Sequence, residues 1–374
     1  MISDLPTPQV LVDRRRLSAN MTRMQQAVAR RGIRLRPHAK THKQPAIAAD
    51  QMALGAVGIC CAKLGEAEVF AEAGLTDIRL PYPVSPWNAS RVLALLKRPV
   101  RISIVVDHPA VAEAWSRAMV RAAEQLDVLV KVDVGFHRCG VDPLSPEALA
   151  LVRKVAGLPG LRFRGLLSHA GHAYHATSED ELERIARDEV RLLSDLADAA
   201  RAHGVRVEEI SVGATPTARF SARLAGITEM RPGNYVYFDR SQVALGAATP
   251  GDCALTVLTT VVSKPAPDRL VLDAGSKTLS SDPARGFAAM PGHGAVLPTF
   301  GSDRMDETLV VDRLSEEHAV VRVLAGQTRL EPGDRVRLLP NHACVVVNLV
   351  DDVQLVDGPN VVETRRVAAR GRIS

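Results

Sequence analysis

A chain of 374 residues with 46% hydrophobic content holds more apolar material than one core usually accommodates, so one large domain and a smaller companion are expected. The formal net charge of +5 is dispersed along the chain, and 3% aromatic content leaves no basic block interleaved with rings, which argues against nucleic-acid binding. The first residues form no apolar signal core, no run approaches ~20 apolar residues, and five cysteines without a CxxC pair fit reduced thiols, so a cytoplasmic protein is expected.

In chain order, a strand-like piece at 9–13 comes first and is suited to pair with the C-terminal region. Strand patterns then recur at 33–37, 57–62, 77–81, 102–107, 128–134, 163–169, 209–213 and 227–231. Amphipathic helical patterns fill the gaps, the clearest at 17–30, 109–125 and 179–203. Eight βα units point to a closed (β/α)8 TIM-like barrel over residues 14–246. From 247 the texture changes to short strands separated by Pro, Gly and Asp, at 255–262, 269–273, 307–311, 319–324, 335–339 and 344–350. Residues 247–374 are therefore expected to form a β-domain, with 1–13 packing on it.

Lys40 stands in Arg36-Pro37-His38-Ala39-Lys40-Thr41-His42-Lys43, directly after the first barrel strand. A lysine at that strand tip is placed for Schiff-base chemistry, and crowding by Arg34, Arg36 and Lys43 is expected to lower its pKa. Such barrels often hold a phosphate in the loops after strands seven and eight. Ser211-Val212-Gly213-Ala214-Thr215-Pro216-Thr217 and Arg231-Pro232-Gly233-Asn234-Tyr235 supply hydroxyls, glycines and amide donors there. Lysine and loops together outline a cofactor with an aldehyde at one end and a phosphate at the other.

Several ordered motifs carry a resemblance that spans essentially the whole chain. Besides the lysine segment and the two loops, they are Val132-Asp133-Val134-Gly135-Phe136-His137-Arg138-Cys139-Gly140-Val141, His169-Ala170-Gly171-His172-Ala173-Tyr174, Asp273-Ala274-Gly275-Ser276-Lys277 and Pro340-Asn341-His342-Ala343-Cys344. The sequence resembles the fold-type III pyridoxal-phosphate enzymes, the alanine racemase-like group, and within it the D-threonine aldolase and D-serine dehydratase family. The resemblance implies pyridoxal 5'-phosphate (PLP) on Lys40, with Arg138 near its phenolic oxygen, His169 against its ring and Tyr174 near the ring nitrogen. It places Ser211, Gly213, Thr215, Gly233 and Asn234 around the phosphate, and it implies a homodimer acting on a small D-amino acid.

His342 and Cys344 are read as i and i+2 on a strand, with both side chains on one face and able to share one divalent ion. In the resembled family this pair corresponds to the metal site. Among Zn, Mn, Mg and Co, the thiolate of Cys344 favours zinc. A metal there argues for a substrate with a β-hydroxyl, which the ion binds and acidifies. Two lyase reactions use that arrangement. The aldolase converts D-threonine to glycine and acetaldehyde; the dehydratase converts D-serine or D-3-hydroxyaspartate to a 2-oxo acid and ammonia. Cys344, His169-Ala170-Gly171 and Val212-Gly213-Ala214-Thr215-Pro216-Thr217 resemble the dehydratases, whereas the segments around 263–275, 59–61 and 369–371 resemble the D-threonine aldolases, and the aldolase is the favoured reading. A metal-independent racemase and a non-catalytic PLP-binding protein are the remaining alternatives.

Overall fold

The computed structural model describes residues 1–298 and 301–374. Strand β1 (Gln9–Asp13) is followed by eight parallel barrel strands: β2 (Arg34–Leu35), β3 (Ile59–Cys60), β4 (Asp77–Pro83), β5 (Arg101–Val106), β6 (Leu126–Lys131), β7 (Leu161–Leu167), β8 (Glu209–Val212) and β9 (Glu229–Met230). The sheet order is β2-β9-β8-β7-β6-β5-β4-β3. A parallel bridge between His38 and Cys60, with Cys60 N–H donating to the Pro37 carbonyl, joins the two end strands. All eight strands coincide with expected patterns, because their short, largely buried runs alternate with amphipathic helices such as Arg14–Ala29, Pro109–Ala122 and Glu179–Ala202.

The remaining strands are β10 (Leu255–Ala266), β11 (Arg269–Leu272), β12 (Gly294–Leu297), β13 (Leu309–Leu314), β14 (Ala319–Val323), β15 (Arg335–Pro340), β16 (Asp352–Asp357) and β17 (Asn360–Arg366). Six of them close a ring in the order β10-β11-β14-β13-β12-β15, and β1, β16 and β17 extend the sheet from β10. β1 runs antiparallel to β10 and parallel to β16, so the chain's first strand belongs to the C-terminal sheet. The expected strand at 344–350 is instead the helix Ala343–Leu349, with His342 at its N-cap. Its valines suggested a strand, but Ala343 N–H donates to the buried Asp239 carboxylate 3.0 Å away, and Val346 and Val347 are buried as one helical face. β12, β16 and β17 had not been expected; β17 in particular is an exposed edge strand with almost no buried face to mark it.

An ionic network fills the barrel interior beneath its open end. Arg36 Nε lies 2.8 Å from Glu229, Arg79 also pairs with Glu229, and a second Arg79 nitrogen reaches Glu209 at 2.7 Å. These groups are almost fully buried. No helix of the described residues is long and apolar enough to cross a membrane.

Candidate active site

The C-terminal ends of the barrel strands open on a cavity of about 200 Å3, one wall of which comes from the β-domain through Pro283, Arg285, His342 and Cys344. Lys40 is exposed to this cavity from the single 3-10 turn Ala39–Thr41, whose N-cap His38 turns its Nδ1 toward Lys40 N–H at 3.4 Å. The three cations expected to crowd Lys40 are each paired with a carboxylate. Arg36 pairs with Glu229 and Asp77, Lys43 with Glu66 at 3.2 Å, and Arg34 lies 3.9 Å from Glu209. Lys63, the other lysine after an early barrel strand, lies over the Tyr82 ring outside the cavity lining.

Arg138, His169 and Tyr174 all line the cavity. His169 Nδ1 is 2.7 Å from the Gly213 carbonyl, the geometry of a donated N–H, and its ring meets Phe136 edge-on at 6.0 Å. Burial, with Lys131 and Lys40 nearby, holds His169 well below the usual histidine range, so it is neutral. The Arg138 guanidinium lies 5.0 Å above the Phe136 ring. Tyr174 Oη accepts from Gln242 at 3.4 Å, and burial pushes its phenol up, keeping it protonated.

The two loops divide their work. Thr215, Gly233 and Asn234 line the cavity, and the Thr215 hydroxyl is buried with no hydrogen-bond partner among the described residues. A Cβ on Gly233 would sit 3.0 Å from His38 Cβ and Thr41 Oγ1, so glycine lets this loop press against the lysine turn. Ser211 and Gly213 are not among the lining residues. Ser211 Oγ donates to Glu229 at 2.6 Å and takes a bond from Arg231 at 2.5 Å, while Gly213 serves through its carbonyl on His169.

Four residues near the cavity were not singled out as site residues from the sequence. Arg231 lines the cavity and also ties strand ends together by donating to Ser211 Oγ and to the Ser168 and Val212 carbonyls. Lys131 ends β6, and burial, with Arg231 beside it, pushes its ammonium down to about 7. A lysine inside the apolar run 128–134 was the available signal for it. Asp239 and Asp282 act on the β-domain wall, and only the folded chain brings them there.

His342 and Cys344 remain neighbours although the backbone between them is helical. His342 Nδ1 is 2.6 Å from Asp282 Oδ2, and Cys344 Sγ is 3.3 Å from Thr41 Oγ1, next to Lys40. Burial works against charge on His342, but the hydrogen bond to Cys344 and the charges of Cys344 and Asp239 outweigh it and raise its pKa to about 10. Burial likewise opposes the Cys344 thiolate, yet the bond and charge of His342, with Lys40 beyond, bring its pKa below that of a free thiol. Among the described residues no cluster of three or more His, Cys, Asp and Glu is arranged to hold a metal.

A family model described as alanine racemase, N-terminal domain, matches residues 12–241. The chain belongs to that family. A serine dehydratase domain model matches residues 254–356 of this alanine racemase-like chain. D-threonine aldolase of an Arthrobacter species is 36% identical over 372 residues, covering 99% of this chain and 94% of the aldolase. The solved D-threo-3-hydroxyaspartate dehydratase from Delftia sp. HT23 superposes with a TM-score of 0.92 at 34% identity, covering 98% of each chain. The solved D-threonine aldolase from Filomicrobium marinum gives 0.86 at 31% identity, covering 100% of this chain and 97% of the other. The alanine racemase-like fold is thus shared throughout, and the chain is a PLP-dependent lyase. The cavity suits PLP, with a free lysine at one end and the unpartnered Thr215 hydroxyl in the loop expected at the other.

Proposed function

We propose that the protein is a lyase of 3-hydroxy-D-amino acids that cleaves D-threonine to glycine and acetaldehyde, with PLP on Lys40 and a divalent ion on His342 and Cys344. The observation that carries this reading is the convergence of the lysine turn and the His342-Cys344 pair, with Thr41 and Cys344 in contact at 3.3 Å. PLP supplies an electron sink for charge left at Cα, and the ion a Lewis acid for a β-hydroxyl. Asp282 fixes the His342 ring through Nδ1, so an ion would take Nε2 by displacing the proton it shares with Cys344. Cys344, whose thiol pKa is lowered by His342 against the effect of burial, supplies a soft donor that favours zinc. His169 keeps a neutral imidazole at the cofactor's face, and Tyr174 holds its proton, so neither adds charge to the ring. Lys40 Nζ, exposed to the cavity, is free to accept or return a proton at the substrate.

A dehydratase remains the second reading because Cys344 occupies the metal pair. Solved structures of the Delftia dehydratase include a histidine-to-alanine mutant and a metal-free cysteine-to-alanine mutant, the two substituted residues standing two positions apart, as His342 and Cys344 do. Incubating metal-reconstituted holoenzyme with D-threonine and D-serine separates the readings. Glycine and acetaldehyde from D-threonine are expected; 2-oxobutyrate from D-threonine, pyruvate from D-serine and ammonia from both, without glycine, would establish the dehydratase instead.

A further inference from the structure

Lys43 closes the turn that carries Lys40, its N–H donating to the Ala39 carbonyl at 2.8 Å, yet it is not among the residues lining the cavity. Its backbone is left-handed, with φ at 53°, a conformation that glycine adopts freely and a residue with a side chain adopts only at a cost. Strain of this kind directs attention to what the side chain reaches. The Lys43 side chain is almost fully buried, and its Nζ lies 3.2 Å from Glu66 Oε1 and donates to Asn348 Oδ1 at 2.7 Å. Glu66 is fixed in turn, its Oε2 accepting from Ala62 N–H at 2.6 Å.

Asn348 belongs to the helix Ala343–Leu349, four residues after Cys344, so the two side chains share one helical face. Thr41 and Lys43 meet that face from the lysine turn. Thr41 Oγ1 is 3.3 Å from Cys344 Sγ, and Lys43 reaches Asn348, so turn and helix are joined at two points about one helical turn apart. A third bond comes from the segment after β17, where Ala369 N–H donates to the Lys43 carbonyl at 3.0 Å. A Cys344 thiolate holding an ion has no proton to donate to Thr41. The Lys43–Asn348 bond touches neither the cofactor groups nor the metal pair, so loading both sites leaves it in place.

We infer that Lys43 and Asn348 are positioning residues whose bond sets the spacing between Lys40 and the His342–Cys344 pair, so that one substrate meets the cofactor at its amine and the ion at its β-oxygen. The inference rests on the proposed reading of those two sites. Two contacts on one small molecule reinforce each other only when their separation matches it, and a misplacement of about 1 Å costs about 100-fold.

The test compares PLP-loaded wild type, Asn348→Ala and Asn348→Asp, each with and without zinc. Every protein is mixed rapidly with D-serine or D-alanine, which differ only in the β-hydroxyl, and the first change in cofactor absorbance gives Kd without any need for turnover. Zinc should tighten D-serine and not D-alanine in the wild type. In Asn348→Ala most of that gain should disappear, and kcat on D-threonine should fall by about 10- to 100-fold. The D-alanine Kd, and the zinc Kd read by competition with a chelating dye, should stay unchanged, because each site keeps its own groups. Asn348→Asp retains an acceptor for Lys43 and should recover most of both losses. A zinc gain that survives in Asn348→Ala would overturn the inference, as would a parallel loss of D-alanine or zinc affinity, or an Asp variant as impaired as the Ala variant. A wild type whose D-serine affinity ignores zinc would instead defeat the metal reading, and the inference with it.

Discussion

Lys40 and Lys63 both follow early barrel strands, yet their surroundings separate them completely. Lys40 opens into the cavity beside Thr41 and Cys344, and Lys63 lies over Tyr82. Borohydride treatment of the yellow holoenzyme should therefore fix the cofactor covalently on Lys40, as read by peptide mass spectrometry. Lys40→Ala should abolish both the adduct and turnover, and an adduct on Lys63 or Lys131 in that variant would refute the assignment. Lys131 is the more searching competitor, since its lowered pKa keeps a fraction of its amine neutral at pH 7.

The helix Ala343–Leu349 keeps His342 and Cys344 neighbours by a route that strand alternation did not suggest. A strand would have put His342 and Cys344 on one face by alternation; the structure instead uses an extended N-cap residue and the first helical turn. Asp239 anchors that turn through Ala343 N–H and holds Asn234 of the loop after β9 with the same oxygen. Because the pair belongs to the β-domain wall and the cofactor groups to the barrel loops, His342→Ala and Cys344→Ala should keep the resting cofactor absorbance. Each should lower kcat by about 100-fold or more, the loss expected when a Lewis acid worth about 3 kcal/mol is removed. A chelator should reproduce this in the wild type, and full activity after exhaustive chelation would remove the ion from the mechanism.

Across the whole molecule, the barrel carries its site on an ionic floor. Burial alone would raise the Glu229 carboxyl, but Arg79 and Arg36 prevail and hold it well below the usual carboxylate range. A carboxylate whose folded pKa lies below its unfolded value of about 4.3 stabilises fully at neutral pH and loses that contribution as the pH falls below about 4. Glu229→Gln removes one of the two carboxylate partners of each of two buried arginines and should cost about 3–5 kcal/mol in urea unfolding at pH 7. The gap from wild type should narrow between pH 5 and pH 3. A cost at pH 7 below about 1 kcal/mol would mean that the network behaves like a surface pair and supports nothing above it.

The sequence by itself determined what depends on neighbours in the chain. Eight buried strand runs alternating with amphipathic helices specify the barrel, and the ordered motifs around Lys40, Arg138, His169, Thr215, Gly233 and His342 mark residues that line one cavity. What depends on distant partners was decided only by the tertiary structure. Ser211 has the hydroxyl expected of a phosphate ligand, but Glu229 and Arg231, on and just after the neighbouring strand β9, claim it. Residues 344–350 have the valines of a strand, but a carboxylate more than 100 positions away caps them as a helix. Asp282 and Arg285 carry no periodic or motif signal, and they reach the site because Asn341, His342 and Ser241 fasten their loop against it. Local preferences within a segment amount to about 1 kcal/mol per residue or less, and a single buried charged hydrogen bond exceeds that, so the long-range partner prevails wherever the two disagree.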